Sequence, residues 1–418
     1  MNLRRALGDP IPRAPGVPPR AARLAFLGRS ADELLFGATD VLMPTIRATF
    51  GLSYAQVGLL HLALQYVAGL VEPLSALLID VWERRWLLAW GAAGIGLSTV
   101  MVGVAPTFAV LVLAFAVYGL SSGPLAHTAD VVLVQAHPGA PGRAFARATA
   151  LDTTGALLGP ALVAAWLWAG LEWQWLLVLL GLAGIAYGAL LAGTRFPAAA
   201  SPEADATAAE PEDAAPRVAL AHELLANLRA VARDRAARTW LLFLFVHEVV
   251  EAPIVFRAIW LSDEGGMSQV LVGVYVLFET FVALVAVLAL DRWLTRVPPR
   301  RLMLVAALGL LVLYPAWYLL PGTWTRFMVG VPLGFLFALF WPIARTESLT
   351  TASGRPGAVT AVSAVLGLMP LALLVALLAE VVGLTAALLG VQLLGMAALA
   401  LVTWRWLPVR AAGEDDEA

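Results

Sequence analysis

Hydrophobic runs of bilayer length recur near positions 24–49, 54–79, 86–104, 107–134, 145–169 and 173–194, and again near 239–262, 268–290, 301–320, 325–348, 357–380 and 384–406. As helix, each run is long enough to cross a hydrocarbon core of about 30 Å. Short polar connections separate them, except at 195–238. There Ala198 to Pro216 is rich in Ala, Pro, Glu and Asp and reads as disordered. Leu220, Leu224, Leu228 and Val231 then fall at helical spacing with Arg229, Arg233 and Arg235 nearby. That pattern fits an amphipathic helix on the inner membrane surface and equally a solvated linker helix. The pattern predicts an all-α integral membrane protein: twelve transmembrane helices in two pseudo-symmetric six-helix bundles. Residues 1–23 form a flexible arm, 24–194 the first bundle, 195–238 the linker, 239–406 the second bundle and 407–418 an acidic tail.

Polar positions inside the runs are few and ordered. Arg29, Glu33, Asp40 and Arg47 return to one stripe of a single helix over 24–49. A carboxylate near mid-bilayer costs about 2.5–3.5 kcal/mol on insertion scales, so the stripe must face protein or water. His61, Gln65 and Glu72 form a second stripe on the next run. His247, Glu248 and Glu251 cluster in the seventh run, and Tyr275 and Glu279 lie one turn apart in the eighth. For His61 a structural hydrogen bond is the expected role. Asp152 in the fifth run fits either a cavity or an ion pair at the helix end.

The two halves repeat. Gly51-Leu-Ser-Tyr-Ala-Gln-Val-Gly58 follows the first run, and Gly266-Met-Ser-Gln-Val-Leu-Val-Gly273 follows the seventh. Pro124 to Asp130 parallels Pro342 to Glu347, and Asp80 with Arg84 and Arg85 parallels Asp291 with Arg300 and Arg301. Matches in the same order indicate a duplicated six-helix unit. Aligned on Gly51 and Gly266, Glu33 and Glu248 take equivalent places, which predicts that they face one central cavity. Close carboxylates in a low-dielectric site cannot all ionise together, so one of them is suited to carry a proton. A static salt-bridge network, for example Glu33 with Arg29, is the structural alternative.

Composition agrees with this picture. The chain is 61% hydrophobic and 13% charged, with mean hydropathy +0.83, a membrane composition rather than a soluble one. Arg clusters before the first run, at 84–85, 143–147, 292–301, 355 and 405–410. By the positive-inside bias both termini and the linker are cytoplasmic, in a multi-pass protein of the cell (inner) membrane. Trp82, Trp86, Trp173, Trp175, Trp240, Trp260, Trp293, Trp324, Trp404 and Trp406 fall at run ends and read as headgroup-level anchors. There is no Cys, which excludes disulfides, thiolate metal sites and Cys nucleophiles. The five His show no metal-ligand spacing, and no phosphate loop or nucleophile constellation is present. No enzyme activity, metal, cofactor or nucleic-acid partner is expected. The expected partners are the lipid bilayer, a small-molecule substrate and protons, with the monomer as the functional unit.

Six plus six helices with charged loops after the second and eighth resemble the major facilitator superfamily over essentially the whole chain beyond the arm. The family's loop motif, Gly-x-x-x-Asp-Arg-x-Gly-x-Arg-Arg, corresponds to Ala76-Leu-Leu-Ile-Asp80-Val-Trp-Glu-Arg84-Arg85, with Ala76 and Glu83 in place of the two Gly. Gly155-Ala-Leu-Leu-Gly159-Pro160 in span five resembles the Gly-x-x-x-Gly-Pro core of the family's antiporter motif, without the Gly pair that follows (Val163 and Ala164). Its small residues also permit close helix packing. The Arg of drug:proton antiporters in span four is replaced by Phe115. Phe50 to Gly58 is similar to exporters of the fosmidomycin-resistance type.

The resemblance implies a cytoplasmic gate of Asp80, Arg84, Arg85, Asp130, Arg143, Asp291, Glu347 and Arg355. Glu33, Asp40, Glu248, Glu251, His247, Glu279, His61, Gln65 and Glu72 are the candidates for a proton and substrate cavity. The function expected is secondary active transport of a small organic solute by alternating access, as proton-coupled export. An uptake symporter of the same fold is the alternative. A non-transporting membrane receptor is the alternative from another class.

Overall fold

The computed structural model describes residues 19–136, 141–196, 233–294, 296–351, 362 and 365–407. The arm before Pro19, most of the 195–238 linker, Arg355 and the acidic tail lie outside the described residues. So do the side chains of Asp80, Arg143 and Asp291.

The described residues form helices and no strands. In chain order they are α1 (Pro19–Val41), α2 (Met43–Phe50), α3 (Tyr54–Val81), α4 (Arg84–Val104), α5 (Phe108–Ala136), α6 (Pro141–Trp168) and α7 (Trp173–Ala192). Then follow α8 (Arg235–Glu251), a 3₁₀ turn (Ala252–Phe256), α9 (Arg257–Asp263), α10 (Gln269–Leu294), α11 (Pro299–Leu319), α12 (Thr323–Phe337), α13 (Phe340–Thr351), α14 (Leu371–Val382) and α15 (Leu384–Arg405). Ten helical stretches among the described residues are long and apolar enough to cross a membrane. The runs predicted at 24–49 and 145–169 are helical but miss that standard. Both carry ionisable side chains, described below.

The first span is not one helix. α1 ends at Val41 and α2 begins at Met43. Pro44 has no N–H to donate back toward α1, and such a residue is tolerated only in a first helical turn. The seventh span breaks as well: Pro253 opens the 3₁₀ turn between α8 and α9. Aligned on Gly51 and Gly266, Leu42 of the first break falls on Arg257 of the second. Both glycines adopt left-handed φ, 61° and 65°, which lets the chain turn back at the helix end. The break corrects the single-helix stripe: Arg47 lies on α2, apart from Arg29, Glu33 and Asp40 on α1.

The chain divides into two compact units. Unit one comprises 1–42 and 63–208; unit two comprises 43–62 and 209–418. The division passes through the first span at its break and through α3.

Unit one has an aliphatic core that includes Leu24, Leu35, Leu88, Ile95, Leu125 and Val132. Here α1 lies against α6 at backbone distance. A Cβ on Gly155 would sit 2.2 Å from the Ser30 carbonyl oxygen, and one on Gly159 would sit 2.8 Å from the Leu34 oxygen. Pro160 packs beside Gly37.

Unit two has an aromatic core. Trp260 meets Trp317 at 4.8 Å and Tyr318 at 4.7 Å between ring centroids, and Tyr275 meets Phe327 at 5.1 Å. Trp173, Trp240 and Trp260 are buried, unlike the exposed Trp82, Trp86, Trp175, Trp324 and Trp404. For Trp260 the reason is a partner: its indole N–H donates to Thr385 at 2.6 Å, which removes the cost of burying a donor.

Candidate functional site

In unit one the charges converge on α1. Arg29 donates to both oxygens of Asp152 on α6, Nε to Oδ1 at 3.0 Å and Nη2 to Oδ2 at 2.6 Å. Its third nitrogen faces Asp130 of α5 at 3.5 Å. The planar guanidinium suits this double engagement. One turn on, Asp32 accepts hydrogen bonds from the Tyr118 and Ser122 hydroxyls of α5, the latter at 2.9 Å. Ser30 donates to the Leu151 carbonyl, and Tyr187 of α7 donates to that of Leu24. Polar side chains thus tie α1 to α5, α6 and α7.

Asp32 is not among the residues singled out from the sequence. It lies off the 29-33-40-47 stripe. Its signal was the repeat: on the Gly51/Gly266 alignment it matches His247. Asp152 takes Arg29 as partner, so the pairing of Arg29 with Glu33 is not the one formed. Glu33 is exposed, Asp40 half-buried. Asp130, read as a gate residue, joins the Arg29 network.

In unit two the polar groups gather around the break of span seven. Arg257, the first residue of α9, donates from Nη1 to Glu279 Oε1 of α10 at 2.5 Å. Tyr275, one turn before Glu279, accepts from the Trp317 indole of α11 at 2.7 Å. These residues line a cavity with Tyr314, Tyr318 and Gln392. Gly330 and Gly334 leave α12 bare where α10 presses on it: Cβ atoms there would lie 2.6 Å from the Tyr275 hydroxyl and 3.3 Å from Glu279 Cγ.

On the α8 side of the break, His247 is 1% exposed and neither ring nitrogen has a hydrogen-bond partner. It stacks on Phe337 at 5.6 Å and lies 3.9 Å from Glu251. Glu248 is half-buried.

A separate cluster lies at the far end of α9. Arg47 of α2 pairs with Asp263 and lies 4.3 Å over the Tyr54 ring. Thr385 donates to Glu264, and Glu380 accepts the Ala55 backbone N–H at 3.2 Å. Arg326 is buried over the Trp260 ring at 5.1 Å.

The remaining predicted residues are scattered. His61 is buried, with Nδ1 3.2 Å from the Val57 carbonyl oxygen, and belongs to unit two. Gln65 and Glu72 belong to unit one, and Glu72 Cγ approaches Gly123. Arg84 is buried; Arg85 pairs with Glu83 at 2.5 Å and lies over the Trp86 ring. Glu347 is half-buried on α13. No group of acids and His that could hold a metal ion occurs among the described residues.

Comparison with known proteins follows the same lines. No curated protein matches the sequence. Among solved structures, the chain is similar to a bacterial homolog of the human lysosomal transporter Spinster, in an inward-facing and unoccupied conformation. The TM-score is 0.66 at 19% identity, over 92% of this chain and 94% of that one. It is also similar to the nucleoside transporter NupG, with a TM-score of 0.70 at 13% identity, over 92% and 98%. At these identities the likeness is one of fold. The family model of the Major Facilitator Superfamily matches residues 25–372. A duplicated set of membrane-length helices, a broken first helix in each repeat and a match of that extent agree: the chain belongs to the major facilitator superfamily, and is a multi-pass membrane transporter by fold.

Proposed function

We propose that this protein is a secondary active transporter that exports a small organic solute by alternating access, driven by protons. One observation carries the reading: in each repeat the first span is interrupted, at Leu42 and at Ala252–Phe256, and Arg–carboxylate pairs lie beside both interruptions, Arg47 with Asp263 and Arg257 with Glu279. A continuous helix could anchor a protein without buried charge. Discontinuous helices with ionisable groups are costly in a bilayer and serve transport pathways. Glu33, Glu248, Glu251 and Glu279 are the acids proposed to serve proton coupling. Export is favoured by the antiporter-like Gly155, Gly159 and Pro160, which seat α6 against α1. The Arg distribution favours cytoplasmic termini in a protein of the cell (inner) membrane, and the monomer is the proposed functional unit.

The test is flux through the purified protein in liposomes with an imposed pH gradient, against a panel of cationic and neutral solutes. Expected is movement of a solute against its gradient, with protons running the other way. Co-directional movement of proton and solute would make it an uptake symporter. Specific solute binding with no flux under any gradient would make it a receptor. Orientation is read separately: a Cys introduced at Ala208 of this Cys-free chain stays unlabelled by an impermeant reagent added outside intact cells.

A further inference from the structure

Arg326, in the first turn of α12, is a buried cation with no acidic partner among the described residues. It is 7% exposed, its Nε is buried without a hydrogen-bond partner, and no carboxylate of a described residue pairs with its guanidinium. Arg29, Arg47 and Arg257 each pair with a carboxylate. Arg326 has instead the face of Trp260, 5.1 Å from the guanidinium carbon to the ring centroid. A ring face attracts a cation but does not satisfy the donors of a guanidinium. The acids at the same end of α9 are engaged: Asp263 pairs with Arg47, and Glu264 accepts the Thr385 hydroxyl. Tyr275 lies within electrostatic reach of Arg326 and adds another donor. Its oxygen accepts the Trp317 indole N–H, and its own proton has no acceptor among the described residues. The surroundings of Arg326 are therefore rich in donors and lack an anion, whereas buried charges are as a rule paired.

Arg326 does not point at lipid. Trp324 and Met328 of the same helix are 78% and 76% exposed. Residues two positions away lie on the opposite side of a helix, so Arg326 turns into the bundle of unit two. Next to it, Leu319, Leu320 and residues 321–322 are exposed, which leaves this end of α12 open to solution. No side chain caps the first turn of α12, and that end of a helix favours negative charge.

We propose that Arg326 anchors an oxyanion site at the end of unit two where α12 begins, for a small molecule that carries a carboxylate or phosphate group. The guanidinium fork matches either group with two parallel N–H···O bonds. Trp260 sets the plane of the fork and is itself fixed: its indole N–H donates to Thr385 at 2.6 Å, and Trp317 and Tyr318 pack on its ring. A fork held in place before the ligand arrives loses little entropy on binding. The bound oxyanion supplies the missing charge and the missing acceptors together. The site stands apart from the acids proposed for proton coupling, and it does not depend on the transport reading.

The test is thermal unfolding of the full-length purified protein in detergent, titrated with inorganic phosphate or acetate against chloride at constant ionic strength. Phosphate stabilises many proteins without binding to them, so the readout is a saturable rise in melting temperature that wild type shows and Arg326→Gln lacks. Apparent affinity should fall about tenfold or more in Arg326→Gln, the scale of a lost charge-assisted hydrogen bond. Arg326→Lys keeps the charge without the fork and should bind with intermediate affinity. Arg326→Met guards against misfolding: without anion it should melt at or above the wild-type temperature, because it removes a buried charge that has no partner. Equal responses of wild type and Arg326→Gln overturn the proposal and leave an adventitious ion only. Stabilisation by phosphatidylglycerol with no response to soluble anions overturns it in favour of a headgroup contact. A lower melting temperature in Arg326→Met that Glu264→Gln reproduces overturns it in favour of an internal ion pair.

Discussion

The two units hold their buried charge in different ways. In unit one, Arg29 engages two carboxylates on two helices, α6 and α5, and Asp32 is held by two hydroxyls of α5. In unit two, Arg257 pairs with Glu279, and Glu279 keeps one oxygen unpaired in an aromatic cavity. A multiply tied network has one good arrangement and acts as a clamp. In the aromatic cavity one Glu279 oxygen is left open to a further partner. Packing follows the same division. Unit one brings α1 onto α6 at Gly155 and Gly159 through backbone contact, whereas unit two builds its core from large rings around a cavity.

The comparison breaks first if the Arg29 network is not a clamp. Arg29→Met leaves the half-buried Asp152 and Asp130 without their counter-charge and should cost about 1.5–3 kcal/mol of stability, the scale of a lost charge-assisted hydrogen bond. The triple change Arg29→Met, Asp152→Leu and Asp130→Asn should recover most of it. Thermal unfolding in detergent measures both. Equal stability of the single variant and wild type would show that these charges are solvated and not structural.

Next in size is the α1–α6 contact. Gly155→Leu places side-chain atoms where the Ser30 carbonyl now lies, and overpacking of this kind costs about 1–3 kcal/mol. The expected result is a lower melting temperature with solute specificity unchanged, read by the same unfolding assay and by flux. A change in specificity without loss of stability would move Gly155 from packing to the pathway.

Tyr118→Phe removes one of the two hydroxyls on Asp32. A hydrogen bond to a charged group contributes about 1.5–3 kcal/mol when lost, and Ser122 remains to limit the damage, so the lower end is expected. The double variant with Ser122→Ala should lose more than the sum, because Asp32 then has no donor from α5.

The smallest effect sharpens the contrast. His247 makes no hydrogen bond and stacks among Phe337, Phe340 and Trp341. His247→Phe should leave stability within about 1 kcal/mol of wild type or raise it, because no buried partner is orphaned. A large loss would mean that the imidazole has a polar partner in the working protein and belongs to the Glu248–Glu251 cluster.

What the sequence determined alone is the set of spans, the repeat and the family. Membrane-spanning length is a local property: about twenty apolar residues cross a bilayer whatever their neighbours are. The repeat is equally local, and Gly51 and Gly266 share a left-handed turn because both end a helix that reverses. Tertiary structure decided the partners. Periodicity placed Arg29 and Glu33 one turn apart, yet Arg29 turned to Asp152, and Asp32 gained its hydroxyls from Tyr118. Burial of Trp240 and Trp260, the split of the first span between units, and the meeting of Arg257 with Glu279 belong to the same class. Hydropathy specifies how deep a residue sits in the bilayer. It does not specify how each helix is rotated, where it breaks, or which neighbour it meets. A buried charge takes the partner that rotation supplies.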